Sequence, residues 1–175
     1  MPALFIAGIL FACKNDLEQV RAIDLDISGP ERVTYNAVYF YSDSGIVRNR
    51  LKAAKVELFR GDSSITKISD GLEMTIFGSG GKNNSILTAN NGIIRQNEGI
   101  MEVYNDVQFI NAKGEKLNTE RLIWEQDSDR VYTDNFVRIT RAQDTIYGNG
   151  MVAAQDMSWY KLTGVSGDFQ INDGE

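Results

Sequence analysis

Large apolar side chains fall at every second position in one short stretch after another. In Leu72-Glu73-Met74-Thr75-Ile76, Met101-Glu102-Val103, Val107-Gln108-Phe109 and Val137-Arg138-Ile139, polar groups take the positions between. That period of two is the mark of a β-strand with one dry and one wet face. Strands are expected at 33–41, 46–59, 72–77, 85–90, 99–110, 116–124, 130–133, 136–140, 145–147 and 158–163. The segments between them, such as Ser42-Asp43-Ser44-Gly45 and Gln126-Asp127-Ser128-Asp129, carry turn residues. Within 46–59 the phase slips at Ala53-Ala54 before Val56 and Leu58 resume it, which predicts a bulge. In the same strand Arg48, Arg50 and Lys52 share one face.

The pattern also repeats. Ile93 and Ile123, Gln96 and Gln126, Val107 and Val137, and Phe109 and Ile139 each stand 30 residues apart, and a fainter third copy begins near Thr145. Units that cannot bury their apolar face alone stack into a continuous layered core.

Composition narrows the chemistry. The chain has 42% hydrophobic residues in 175, enough for one domain with a core, and its 16 glycines against 2 prolines fit many strands joined by turns. The expected class is all-β, with antiparallel strands in a sandwich, jellyroll or barrel. A net charge of −6 without a basic block gives no footprint for nucleic acid. Histidine is absent from the sequence and cysteine occurs once, as Cys13. The chain therefore lacks the commonest general base and transition-metal ligand, and cannot form an internal disulfide. No catalytic residue, metal site or cofactor is expected.

The N-terminal stretch reads separately. Ala3 to Ala12 is an apolar run far short of the ~20 residues a spanning helix needs, and has the length of a signal-peptide core. It closes on Leu10-Phe11-Ala12-Cys13, which resembles the lipobox of bacterial lipoproteins. Cys13 is the expected lipid anchor, and several acyl chains on one cysteine give lasting attachment where a single chain does not. The organisation expected is a signal segment over 1–13, a linker over 14–32 with a short strand pattern at Ile23-Asp24-Leu25-Asp26-Ile27, a β-domain over 33–170 and a tail over 171–175.

Order and spacing of several motifs together carry a resemblance. Leu87-Thr88-Ala89, Val107-Gln108-Phe109, Leu117-Asn118-Thr119-Glu120-Arg121-Leu122-Ile123-Trp124, Val131-Tyr132-Thr133-Asp134, Val137-Arg138-Ile139 and Ile146-Tyr147-Gly148-Asn149-Gly150-Met151 follow one another as in the LptC family of lipopolysaccharide-export proteins, which the chain resembles from about 51 to 167. The resemblance implies a twisted open β-jellyroll, two sheets forming a V, with lipid A acyl chains in the trough between them. It implies that an inner-membrane ABC transporter delivers lipopolysaccharide and that an LptA-like bridge protein receives it, each docked edge to edge. The location implied is periplasmic and at the inner membrane, and the sequence departs from the family at the anchor, since its better-known members use a transmembrane helix where lipidated Cys13 is expected here. The trough candidates are Leu58, Met74, Ile76, Leu87, Met101, Val103, Val107, Phe109, Leu122, Trp124, Val131, Val137 and Ile139.

Other features have plainer readings. Trp124 and Trp159 are trough markers or ordinary core. The Arg48, Arg50, Lys52 stripe pairs with lipid phosphates or is a solvated face. Asp127, Asp129 and Asp134 lack the loop of a calcium site and read as turn formers. Glu120 and Glu125 fall on opposite faces of one strand, so they cannot flank one bond as a glycosidase pair. The alternative to a lipid carrier is a β-sandwich lipoprotein serving as a structural or protein-interaction module. An open apolar trough separates the first from the second, which requires a closed core.

Overall fold

A computed structural model of the chain describes residues 29–61, 64–78 and 84–168. They form an all-antiparallel sheet of 13 strands. In chain order these are β1 (Arg32–Asp43), β2 (Ile46–Phe59), β3 (Ile65–Ile76), β4 (Ser85–Ala89), β5 (Asn91–Arg95), β6 (Ile100–Ile110), β7 (Lys116–Glu125), β8 (Arg130–Thr133), β9 (Val137–Thr140), β10 (Thr145–Gly148), β11 (Met151–Ala154), β12 (Tyr160–Leu162) and β13 (Ser166–Asp168). Cys13, the 1–13 segment, the strand pattern at 23–27 and the 171–175 tail lie outside the described residues.

The sheet turns one corner all along its width. β1 bends at Asn36 (φ 51°), β3 at Asp70 (φ 64°) and Gly71 (φ 107°), and β6 at Asn105 (φ 65°) and Asp106 (φ 55°). These are the residue types that tolerate the left-handed region, so the fold line is written in Asn, Asp and Gly. β2 bends by the bulge expected at Ala53-Ala54, where its register with β3 slips between Ala53 and Lys55. Between β4 and β5 the chain turns at Asn90, whose carbonyl accepts from Gly71 N–H (2.9 Å) and whose N–H donates to Asn105 O (3.0 Å). At β7 the Thr119 hydroxyl donates to Phe136 O (2.9 Å), tying the corner to the start of β9.

Two layers result. One holds the start of β1, the end of β2, the start of β3, β5, the start of β6, the end of β7, β8, β11 and β12. The other holds the remaining halves of the long strands with β4, β9, β10 and β13. Their inner faces meet in one cluster that includes Leu51, Ile68, Met74, Val103, Val107, Phe109, Leu117, Val137, Ile139 and Met151. The two layers meet at the bent strands as in the V-shaped jellyroll that the resemblance implies, one of the all-β classes that the alternation allows.

Several boundaries differ from expectation. β3 begins at Ile65, before the bend, and β5, β11 and β13 are strands the alternation did not single out. β5 and β11 are short and lie beside Gly92 and Gly150, which weakens the strand pattern. The expected strand at 158–163 contracts to Tyr160–Leu162.

The 30-residue repeat has a structural counterpart. β5 to β6 and β7 to β8 are joined by matching 3-10 turns, Gln96–Glu98 and Gln126–Ser128, closed by left-handed Gly99 (φ 63°) and Asp129 (φ 50°). Each turn is stitched to the next, Gln126 N–H to Gly99 O at 2.9 Å and Gln155 N–H to Asp129 O at 3.0 Å. In the third turn, between β11 and β12, the left-handed residue is Met157 (φ 57°), whose side chain packs into the core.

Candidate functional site

The mouth of the V is flanked by two rows of turns. On one lip lie Gln96–Glu98, Gln126–Ser128 and the 155–158 turn. On the other lie the β1–β2 turn, Phe77 and Gly78, the 111–115 turn and the β9–β10 turn. Side chains pin these turns. The buried Asn111 carboxamide oxygen accepts from Lys113 N–H (2.9 Å) and Glu115 N–H (3.0 Å). Arg141 grips Asp144 with two bonds of 2.6 Å, and that hydrogen-bonded carboxylate raises the guanidinium pKa.

Between the lips runs a groove of connected cavities. One, about 440 Å³, is lined by Leu51, Val56, Leu58, Ile68, Met74, Ile94, Met101 and Trp124, together with Tyr39, Tyr41, Arg95, Gln96 and Gln126. A narrow space of about 20 Å³ continues inward between Met74, Ile76, Leu87, Phe109 and Met101, Val103, Leu122, Val131. A wider, more polar mouth of about 670 Å³ lies against Ile76, Asn111, Lys113, Trp124, Gln155, Asp156 and Met157. Asn49 and Trp124 line all three.

The trough candidates therefore divide. Leu58, Met74, Met101 and Trp124 line the large cavity. Ile76, Leu87, Val103, Phe109, Leu122 and Val131 line the narrow one. Val107, Val137 and Ile139 face the same interior but line none of these spaces, with exposures of 1%, 0% and 0%. Trp159 is on the surface, 49% exposed, and marks neither trough nor core. The alternation did not bring out Asn49, Leu51, Tyr39 and Tyr41 as lining residues. Asn49 and Leu51 were readable as the face opposite Arg48, Arg50 and Lys52. The unbroken Tyr39-Phe40-Tyr41 run hides which face is dry.

Electrostatics sort the remaining groups. The cationic stripe is internally paired, Arg50 and Lys52 with Glu73 at 3.6 and 3.3 Å and Arg48 with Asp43 at 3.8 Å, and it divides, since Arg48 and Asp43 line the wide mouth while Arg50 and Lys52 line none of the three spaces. On the outer face of the other layer Glu102 accepts from Arg121 (2.7 Å) and Arg95 (3.3 Å), joining β5, β6 and β7. The Arg121 bond, aided by Arg95, holds the Glu102 carboxyl below its ordinary value. At the mouth, burial pushes Asp156 up, but hydrogen bonds from Ser158 and the charge of Lys113 on the opposite lip outweigh it and leave the carboxyl low. Burial raises the Tyr41 phenol. Asp127 and Asp129 serve in the turn they were read into, and Asp134 sits 3.6 Å from Arg121. Among the described residues no group of three or more His, Cys, Asp or Glu is placed to hold a metal ion, and no helix is long and apolar enough to cross a membrane.

Fold and groove together define an open antiparallel jellyroll with a largely apolar groove between its two layers. The chain matches the family described as lipopolysaccharide-assembly, LptC-related, over residues 3–166, and it belongs to that family. No curated protein matches the chain. Membership places it in lipopolysaccharide transport, in a family of transport components that bind the lipid and interact with the Lpt machinery. The family is periplasmic and associated with the inner membrane.

Proposed function

We propose that the chain is a membrane-anchored periplasmic carrier that takes lipopolysaccharide from an inner-membrane ABC transporter, holds its acyl chains in the groove and passes them to an LptA-like bridge. Cys13 is its lipid anchor, 1–13 the signal segment that ends there, 14–32 a linker and 33–170 the carrier domain. The chain acts without catalysis or cofactor.

The observation that carries this reading is the 440 Å³ cavity between the layers. Its size falls within the roughly 300–1,000 Å³ of ligand sites, and its wall is largely aliphatic and aromatic. Each buried CH₂ of an acyl chain contributes about 0.8 kcal/mol there. The lipid fits best with its chains against Leu58, Met74, Met101 and Trp124 and its polar head between the lips.

The sheet ends support the hand-over. Among the described residues β1 pairs with β2 alone, and it exposes Tyr35 (67%), Phe40 (63%) and Val38 (51%). At the far end β12 and β13 each have a partner on one side. Apolar strand edges of this kind are liabilities unless another sheet covers them, and strand addition by a similar jellyroll does so. The transporter takes the β1 edge and the bridge takes β12 and β13.

Photo-crosslinking to lipopolysaccharide tests the carrier. A reactive amino acid at Leu58 or Met74 is expected to capture the lipid, and one at outward Gln108 or Arg138 is not. Capture only from the outward positions sinks the carrier and leaves a protein-interaction module. Removing residues 158–168 is expected to abolish capture of the bridge while transporter binding survives, and joint loss in a folded variant overturns the polarity. Mass spectrometry of the mature N-terminus decides Cys13, since an unmodified thiol in an intact N-terminus removes the anchor.

A further inference from the structure

The layer that holds β4, β9 and β10 has an outer face that the groove does not use. Cross-strand register lays two neighbouring rows on it. One runs Phe40, Arg50, Thr75, Ile86, Ile110 and Lys116 across β1, β2, β3, β4, β6 and β7. The other runs from Val38 through Lys52 and Glu73 to Gln108, Asn118 and Arg138, reaching β9. Phe40, Val38, Ile86 and Ile110 are exposed.

From β1 to β9 these rows hold four cations against one acid, Glu73, in a chain whose net charge is −6. Arg50 and Lys52 share Glu73. Arg138 donates to the neutral Asn118 carboxamide oxygen (3.4 Å), and Lys116 enters no ion pair among the described residues. Asp106, which accepts from Gln108 (3.3 Å), borders the face at the fold line. The outer face of the other layer differs. Its central row is Lys67, Ile93, Glu102, Ile123, Tyr132 and Val152. There Glu102 draws in Arg95 and Arg121, and Val152 is the one exposed large apolar side chain of the row.

Cations interleaved with exposed aromatic and aliphatic side chains match the head-group region of an anionic bilayer. The ring and branched chains enter the interface while long Lys and Arg stems reach lipid phosphates. Membership of a family associated with the inner membrane brings such a surface within reach. Strand addition at the β1 edge engages main-chain groups and leaves these side chains uncovered. The groove stays accessible too, because Leu51, Met74, Leu87 and Phe109 on the same strands point inward.

We propose that this outer face is a membrane-docking surface that lays the domain on anionic phospholipid head groups. No run of Lys or Arg announces it, since Arg50, Lys52, Lys116 and Arg138 are gathered from β2, β7 and β9 by the sheet. A surface of this kind supplies a second membrane signal beside a lipid anchor. It goes beyond the carrier reading and does not depend on it.

The test mixes the full chain with vesicles of phosphatidylcholine and phosphatidylglycerol that carry a photoreactive phosphatidylcholine, and maps adduct sites by mass spectrometry. Vesicles without phosphatidylglycerol are the control. Adducts are expected at Val38, Phe40, Ile86 and Ile110 in excess over Ile93, Tyr132 and Val152, and fewer on neutral vesicles. Lys52→Gln combined with Arg138→Gln is expected to lower them about twentyfold at low salt, two contacts of about 1 kcal/mol or about fivefold each. Lipopolysaccharide capture from Leu58 should persist in that variant. The wild-type map decides the matter however the variant folds. Labelling spread evenly over both outer faces, or unchanged when phosphatidylglycerol is left out, overturns the docking surface and leaves the carrier standing. A photoreactive amino acid at Phe40, in membranes containing the transporter, separates lipid from protein. Capture of phospholipid upholds the surface, and capture of transporter polypeptide alone overturns it in favour of a protein interface.

Discussion

The interior of this jellyroll is built from one alternating pattern, yet its two ends behave differently. Toward β9 and β10 the layers close. Phe109, Leu117 and Ile139 lie side by side across β6, β7 and β9, with Val107, Thr119 and Val137 in the next row. None of the six is more than 6% exposed. Toward β1 and β2 the same face opens, and Leu51, Val56, Leu58 and Ile68 look into the 440 Å³ cavity. The sealed end provides the stability that the open end, whose wall faces a cavity, forgoes. A carrier needs both, since a trough without a rigid end collapses onto itself.

The largest effect comes from putting a charge at each end. Val137→Glu buries an unpaired carboxylate in a site with 0% exposure. It should cost several kcal/mol, enough to unfold a domain whose whole stability is about 5–15 kcal/mol. Leu58→Glu, on the cavity wall, can keep its carboxylate wet. It should stay folded and lose lipopolysaccharide crosslinking. Thermal unfolding of the pair, with crosslinking from Met74 as the second readout, checks this. Equal destabilisation of both variants would erase the contrast between the ends.

A milder break tests how tightly the sealed end is joined to the last strands. A Cβ on Gly148 would lie 3.2 Å from both Leu162 Cβ and Thr163 O and 3.3 Å from Val137 Cγ2. Gly148→Val should therefore overpack this junction at a cost of about 1–3 kcal/mol, read as a fall in Tm of roughly 2–4 °C per kcal/mol. Gly148→Ala should fall between it and wild type.

Much of this architecture was legible in the residues. The alternation at 107–109 and 137–139 located the dry face, and the slip at Ala53-Ala54 located a bend of the fold line. Alternation is blind to what stands opposite, so it treated Val137 and Leu58 alike although one is packed and the other lines open space. The 30-residue repeat pointed to equivalent turns, but the stitching of Gln126 to Gly99 is a main-chain contact no side chain announces. Asn49 escaped notice because a polar residue on an inward position reads as a break in the pattern. Trp124 follows the apolar Leu122-Ile123 inside β7, where pairing with Met101 and Val131 holds it in the groove, while Trp159 follows Asp156-Met157-Ser158 in the turn before β12 and lies outside.

Acid separates the outer scaffold from the groove. Glu102 has its carboxyl lowered by Arg121 and Arg95, and its side chain is 14% exposed. A carboxylate depressed in the folded state stabilises above its unfolded pKa, and that contribution is lost as pH falls through the folded value. Glu102→Gln should therefore cost about 1–2 kcal/mol near neutral pH, and the deficit should shrink as pH drops below the ordinary 4.5. Urea unfolding at a series of pH values measures it. A deficit that stays constant into acid would mean the triad contributes through packing and not through charge.

The smallest effect is expected from the cationic stripe, and it bears on where the lipid's phosphates go. Arg48 and Lys52 have side chains about half exposed, 50% and 49%, and pair with Asp43 at the edge of the mouth and with Glu73 on the outer face. Exposed pairs of this kind are worth about 0–1 kcal/mol and are screened by salt. Joint replacement of Arg48 and Lys52 by Ala should move stability by about 0.5 kcal/mol or less. It should also leave lipopolysaccharide capture from Leu58 unchanged, because the stripe and the cavity wall lie on opposite faces of β2. Capture measured across a range of salt concentrations makes the comparison sharp. If the double variant lowers capture at low salt and matches wild type at high salt, the stripe meets the lipid's phosphates and the head group extends around the β1–β2 edge. If the two curves coincide, the phosphates are met elsewhere between the lips, where Lys113 also lines the mouth.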